Sequence, residues 1–202
     1  MRKLIVNTFL TLDGVMQAPG GPEEDPTDDF AYGGWSVNYW DDQMGQKVGE
    51  IMGKPFDLLL GRKTYEIFAS YWPHAGEEQA EVAKPLNDAT KYVASRTLKS
   101  LEWQPSALLE GDVVAAVRAL KEGDGPELQV HGSGNFLQTL FGAGLVDEFY
   151  LWTFPVVVGS GKRLFENGLP PGAFKLVDSV TSTTGVMIGT YEPAGELITG
   201  SF

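Results

Sequence analysis

The order of short strand-like runs along this chain restricts its folds more than any other feature. Runs at 2–10, 56–60, 91–94, 106–109 and 127–131 alternate with helical segments at 39–53, 65–71, 76–86, 113–121 and 135–141. Strands joined through helices must cross over and lie parallel, with helices on both faces of the sheet. The last three runs, 148–158, 174–180 and 186–192, have no helix between them and predict an antiparallel C-terminal edge. The expected fold class is therefore α/β, a mostly parallel central sheet with helices on both faces, and residues 1–202 form one domain. Within the first helix, Asp41 and Asp42 occupy the first turn, where the helix dipole favours anions, and Met44, Val48, Ile51 and Met52 recur at helical spacing. The irregular stretch 11–38 is rich in Gly, Pro, Asp and aromatics, with Gly33-Gly34 beside Trp35. A loop of that length reads as a lid or binding loop.

Composition removes several classes of function. There is no cysteine, so disulfides, thiolate nucleophiles, iron–sulfur clusters and the Pro-Cys-x-x-Cys zinc site of a nucleotide deaminase are absent. The two histidines, His74 and His131, do not supply a histidine-rich metal site, and no metal is expected. A net charge of -12 argues against a nucleic-acid partner, while a small anion answers only to its local field. No apolar run approaches the roughly 20 residues of a membrane helix. The N-terminal stretch, interrupted at Asn7 and Thr8, reads as a first strand rather than a signal peptide. A cytoplasmic location with no membrane partner is the expectation.

Two strand–turn–helix junctions carry the chemistry. One strand hands over to Gly61-Arg62-Lys63-Thr64, another to Gly132-Ser133-Gly134, and each leads into a helix. A helix N-terminus offers unpaired N–H groups and partial positive charge, and glycine admits a phosphate close to the backbone. A parallel sheet sets such termini along one edge, so two of them would cradle a pyrophosphate. The second junction lacks the third glycine of a dinucleotide fingerprint. Arg62, Lys63 and Arg96, which follows Ser95, sit at strand ends. A guanidinium fork suits a phosphomonoester such as a ribose 2′-phosphate, which favours NADPH over NADH.

These segments carry a resemblance that runs over nearly the whole length. Thr11-Leu12-Asp13-Gly14, Leu58 to Glu66, Val93 to Thr97, Val130 to Gly134, Asp147-Glu148 and Pro155 to Gly161 are similar to the dihydrofolate reductase-like fold, in particular the riboflavin-biosynthesis reductase domain of the bifunctional deaminase-reductase. The resemblance implies that Gly61, Arg62, Lys63 and Thr64 hold cofactor phosphates, and that Ser95 and Arg96 meet the 2′-phosphate. It implies that Gly132, Ser133 and Gly134 cover the pyrophosphate, with Asn135 and Phe136 opening the helix. Asp13 would border the nicotinamide. The dihydrofolate reductases use a carboxylate on the first helix, and Asp41 and Asp42 lie on the corresponding helix at a longer spacing. Asp13, Asp41 and Asp42 are thus the candidate proton donors, alongside solvent. Trp40, Lys162 and Arg163 are candidate substrate contacts, His74 a rim residue, and His131 a neighbour of the glycine turn. The implied function is NADPH-dependent reduction of a small heterocyclic or sugar-derived substrate by a homodimer, with Trp152 and Phe154 near its interface. The alternative is a nucleotide- or flavin-binding protein without turnover, suggested by the unsettled proton donor and by the aromatics between Phe30 and Trp40.

Overall fold

The computed structural model describes residues 1–202. Its strands are β1 (Leu4–Thr11), β2 (Phe56–Gly61), β3 (Lys91–Ala94), β4 (Ser106–Leu108), β5 (Glu127–His131), β6 (Glu148–Phe154), β7 (Phe174–Thr181) and β8 (Met187–Pro193). The helices are α1 (Asp42–Met52), α2 (Arg62–Tyr71), α3 (Ala80–Asp88), α4 (Val113–Glu122) and α5 (Gly134–Gly142). All eight strands join one sheet in the order β4-β3-β2-β5-β1-β6-β8-β7. β4 through β6 in that order are parallel, and β8 runs antiparallel to both β6 and β7. The expected parallel sheet with an antiparallel C-terminal edge is what the chain forms.

Side chains alternate between the faces as a pleated strand requires. Leu4 and Val6 of β1, Leu59 of β2, and Leu128 and Val130 of β5 pack with Val117 of α4 and Leu137 and Leu140 of α5. On the opposite face, Ile5, Tyr150 and Trp152 pack with Met44 and Ile51 of α1. A separate cluster on that face joins Phe56, Leu58 and Leu60 to Tyr65 of α2 and Leu86 of α3.

Three boundaries differ from the pattern reading. α2 begins at Arg62, directly after β2, so Arg62-Lys63-Thr64 form a helical first turn rather than a connecting turn. α1 begins at Asp42, and Asp41 is its cap, accepting a hydrogen bond from the Met44 N–H at 2.9 Å. β6 stops at Phe154 because Pro155 has no N–H for the ladder, and the chain turns so that the Val156 carbonyl accepts from Leu12 N at 2.8 Å.

The stretch expected as a lid is folded and anchored. Gln17, 3% exposed, donates to the carbonyls of Asp25 (3.0 Å) and Thr27 (2.9 Å) and accepts from Lys162 N (3.0 Å). The Trp35 indole donates to the Gln17 carbonyl at 2.8 Å, and Phe30 packs with Val15 and Ala18.

Candidate functional site

From β2 the chain proceeds outward to β3, whereas from β5 it proceeds the other way, past β1 to β6. β2 and β5 are neighbours, so the connections diverge between them, and a crevice opens at their carboxyl ends. Both glycine junctions stand at that crevice. The Gly61 N–H donates to Ser133 Oγ at 3.0 Å. A Cβ on Gly61 would lie 3.4 Å from the Cβ atoms of Ser133 and Phe136, and one on Gly132 would lie 3.6 Å from Thr64 Oγ1. The two turns pack directly against each other.

Their backbone suits an anion. Gly132 and Ser133 both adopt left-handed conformations, with φ of 66° at each. For a residue with a Cβ this conformation costs about 1–2 kcal/mol, and such strain gathers at functional sites. The Ser133 hydroxyl accepts from β2 rather than capping its own helix. Neither α2 nor α5 has a side-chain cap, which leaves first-turn N–H groups of both helices free for a ligand.

Basic groups line the adjoining strand ends. Gly61 pairs in register with Ala94, which brings Ser95 and Arg96 beside Arg62 and Lys63. Ser95 Oγ accepts from the N–H groups of Thr97 (3.2 Å) and Leu98 (3.0 Å) and so shapes the turn that carries Arg96. The side chain of Arg62 is half exposed and its nearest acid, Glu66, lies 3.9 Å away. Lys63 and Arg96 are exposed and in no ion pair.

Four other candidate groups are engaged inside the fold. The Asp13 carboxylate accepts from Thr11 Oγ1 (2.6 Å), Gly159 N (2.9 Å) and Val158 N (3.3 Å). The Thr11 hydroxyl and these amides hold its carboxyl below the usual range. Arg163 donates to the Asp13 carbonyl and lies 3.6 Å from its carboxylate. Asp41, besides capping α1, accepts from Thr183 Oγ1 and N, each at 2.6 Å; the Thr183 hydroxyl above all keeps its carboxyl low. Lys162 Nζ reaches Asp25 (2.5 Å) and Thr27 (2.6 Å) in the anchored loop. Asp13, Arg163, Asp41 and Lys162 therefore position loops, and Lys162 and Arg163 do not stand free for a substrate. Asp42 is exposed in the first turn of α1. Trp40 is 44% exposed and lies against Phe9 and Trp152, with ring centroids 5.8 and 6.4 Å away.

The structure gives His131, expected beside the glycine turn, polar neighbours that pattern reading passed over. Between the α1 cluster and the α2–α3 cluster, β5 presents Glu127, Gln129 and His131 to one face. Gln129 is fully buried; its Nε2 donates to Glu127 Oε1 (2.8 Å), and its Oε1 lies 2.9 Å from His131 Nε2. Burial pushes the His131 imidazole down to about 4, and the rings of Phe56 and Phe68 flank it at 6.5 and 6.4 Å. Asn7, its register partner on β1, accepts from the Trp152 indole at 2.9 Å. Asn7 and His131 make a polar floor next to an aromatic wall of Phe9, Trp40 and Trp152. The signal was in the sequence: a central parallel strand is normally apolar throughout, and Glu127-x-Gln129-x-His131 is polar at every second position.

A mostly parallel sheet with an antiparallel C-terminal hairpin and a crevice between β2 and β5 defines an α/β protein of the dihydrofolate reductase fold. Residues 2–188 match the model of the RibD C-terminal domain, and the chain belongs to that family, the riboflavin-biosynthesis reductase-like proteins. It is 28% identical over 188 residues to the uncharacterized protein YyaP of Bacillus subtilis (strain 168), covering 92% of each chain. Among solved structures it is similar to dihydrofolate reductase from Enterococcus faecalis complexed with NADP(H) and RAB-propyl (TM-score 0.60, 15% identity, 95% of this chain and 96% of that one). It is also similar to the diaminohydroxyphosphoribosylaminopyrimidine deaminase/5-amino-6-(5-phosphoribosylamino)uracil reductase of Thermotoga maritima (TM-score 0.60, 16% identity, 96% of this chain and 57% of that one). No helix is long and apolar enough to cross a membrane.

Proposed function

We propose that the protein is an NADPH-dependent reductase of a small heterocyclic or sugar-derived substrate, with the whole chain acting as one domain. The observation that carries this reading is the Gly61 N–H to Ser133 Oγ bond, which clasps two uncapped helix starts at one crevice. Thr64, Gly132, Ser133 and Gly134 offer backbone and hydroxyl donors to a pyrophosphate, with Asn135 and Phe136 completing the turn and Gly61, its own N–H given to Ser133, holding the two turns together. Arg62, Lys63, Ser95 and Arg96 meet the 2′-phosphate. The E. faecalis reductase, of the same fold, is complexed with NADP(H), which supports the choice of cofactor.

When bound, NADPH supplies the hydride. Phe9 and Trp40, backed by buried Trp152, align a flat substrate and exclude water from one side, while Asn7 and His131 orient its polar edge. Asp13 and Asp41 are held ionised by their hydrogen bonds, and neutral His131 has its Nε2 engaged, so the proton comes from solvent or from exposed Asp42. The engagement of Asp13 and Asp41 also favours the second reading, a nucleotide- or flavin-binding protein without turnover; a yellow colour in the purified protein would support its flavin form.

Thermal unfolding with each cofactor tests the first reading. NADPH at a hundred times its Kd stabilises by about 2.7 kcal/mol, or about 5–10 °C for a chain of this size. NADH at the same concentration is expected to give little shift. Arg96→Ala is expected to lose at least about tenfold in NADPH affinity, the worth of charge-assisted hydrogen bonds, and to leave NADH binding unchanged. Equal shifts with both cofactors, or none with either, would overturn the assignment.

We also propose a homodimer. Trp152 and Phe154 are buried in the chain's own core, at 1% and 0% exposure, and do not supply the interface. A group of exposed apolar residues lies instead on the C-terminal strands, where Phe174, Leu176, Val177 and Met187 are about half exposed. Light scattering at micromolar concentration is expected to return twice the chain mass, and Leu176→Glu to return the monomer.

A further inference from the structure

We infer that the C-terminal tail, residues 196–202, joins two copies of this chain by seating its apolar side chains in a groove on the partner's antiparallel strands. The inference rests on the homodimer reading and is independent of the cofactor.

The two sides of the antiparallel end are finished differently. On one side, Ile188 of β8 packs with Met44 and Ile51 of α1. On the other, Phe141 of α5 stands 5.7 Å from Phe149, and beside it Phe149, Leu151, Phe165, Phe174 and Tyr191 alone line a groove of about 140 Å³. An apolar opening of about 150 Å³ stays dry and accepts a benzene-sized ring, so this groove fits one large apolar side chain. Leu176, Tyr191 and Phe149 stand in register across β7, β8 and β6, and their side chains share this face. Strand alternation puts Met187 on it as well.

The tail departs at the rim of the groove. Ala194 N donates to the Ala173 carbonyl (2.8 Å) and Ala173 N to the Gly195 carbonyl (3.0 Å), directly before Phe174. Past Gly195 the single chain leaves Leu197, Ile198 and Phe202 exposed, Ile198 at 91%. These three residues lie outside the span 2–188 that the family model matches.

Surface area decides between the occupants. A fully exposed large apolar side chain presents on the order of 100 Å² of apolar surface. Phe165, Phe174, Leu176, Val177 and Met187, each about half exposed, therefore offer roughly 250 Å². A stable interface takes about 800 Å² from each partner, of which a little over half, about 450 Å², is apolar. The strand face alone falls well short. With Leu197, Ile198 and Phe202 added, the apolar surface reaches roughly 500 Å². A tail folded back on its own groove would bury that surface within one chain and leave too little for a dimer. Exchange between two copies is self-complementary, so one two-fold axis seats both tails and covers both grooves. Residues 196–202 span at most about 25 Å when extended, and β7 is the outermost strand that they must pass.

Photo-cross-linking reads the contact directly. With p-benzoylphenylalanine in place of Phe202, irradiation is expected to give a covalent two-chain species on a denaturing gel. Mass spectrometry is expected to place its link on a peptide that lines the groove. A link within one chain, or none to the groove, would overturn the exchange. Sedimentation gives the second readout. The double variant Ile198→Asp/Phe202→Ser changes only exposed side chains and keeps the Ala173–Gly195 bonds, so its fold is not at risk. It is expected to weaken the dimer at least about tenfold. An unmoved dimer affinity would overturn the role of the tail and leave the homodimer reading standing, whereas a parent chain that stays monomeric would defeat that reading itself.

Discussion

Gly132→Asp is expected to weaken NADPH binding by at least about a hundredfold, whereas Gly132→Asn weakens it only several-fold. Gly132 holds φ at 66° in the turn that meets Thr64. Asn and Asp tolerate left-handed backbone better than other residues with a Cβ, and their shapes are nearly the same, so the two variants share a conformational cost of about 1 kcal/mol. They share the space as well, since a Cβ there finds Thr64 Oγ1 at 3.6 Å and Cγ2 at 3.8 Å without a clash. What separates them is one negative charge placed where a pyrophosphate is proposed to lie. Two unit charges about 4 Å apart repel by about 4 kcal/mol at an effective dielectric near 20, which corresponds to several hundredfold in affinity. Titration at low and high salt gives the check, because an exposed repulsion is screened and the gap between the variants narrows with ionic strength. Equal affinities for Asn and Asp would mean that no phosphate approaches this turn.

Glycine followed by a basic or hydroxyl residue at the end of a strand-like run is a local signal, and the junctions at Gly61 and Gly132 were legible for that reason. Their adjacency was not local. It depends on β5 inserting between β2 and β1, and only strand order sets it. The parallel-to-antiparallel change was legible because the helices stop after α5 while apolar runs continue.

The charged candidates show where such reading ends. Lys162 pairs with Asp25 across 137 positions, and Asp13 binds Gly159 across 146. A lysine that anchors a loop and one that meets a substrate look the same in a sequence, because the difference lies in which distant acid the fold delivers. The long Gly- and Pro-rich stretch is another instance: its composition suggests mobility, yet buried Gln17, Asp25 and Ser36 fasten it with hydrogen bonds. The polar row on β5 was accessible by counting every second residue, and its hydrogen bonds through Gln129 came only with the structure.

At the opposite edge of the sheet, Asp57→Ala is expected to destabilise the protein by about 3–5 kcal/mol, the cost of leaving a buried charge without its partner. Arg2, whose side chain is 4% exposed, donates to Asp57, to the Pro126 carbonyl at 2.6 Å, and lies over the Tyr92 ring at 5.8 Å. Asp57 also accepts from Thr90 N at 3.2 Å, so the pair ties the starts of β1, β2, β3 and β5 together. For a chain of this size the loss corresponds to a fall in Tm of about 6–20 °C. The double variant Arg2→Met/Asp57→Leu removes both charges and keeps apolar volume, and is expected to recover most of that loss. Both glycine junctions lie at the other ends of β2 and β5, so NADPH affinity should stay within about twofold in either variant that remains folded, as expected for well-separated sites. Calorimetric unfolding and cofactor titration on the same samples check both halves. A Tm within about 2 °C of the parent for Asp57→Ala would show that water or another acceptor already serves Arg2.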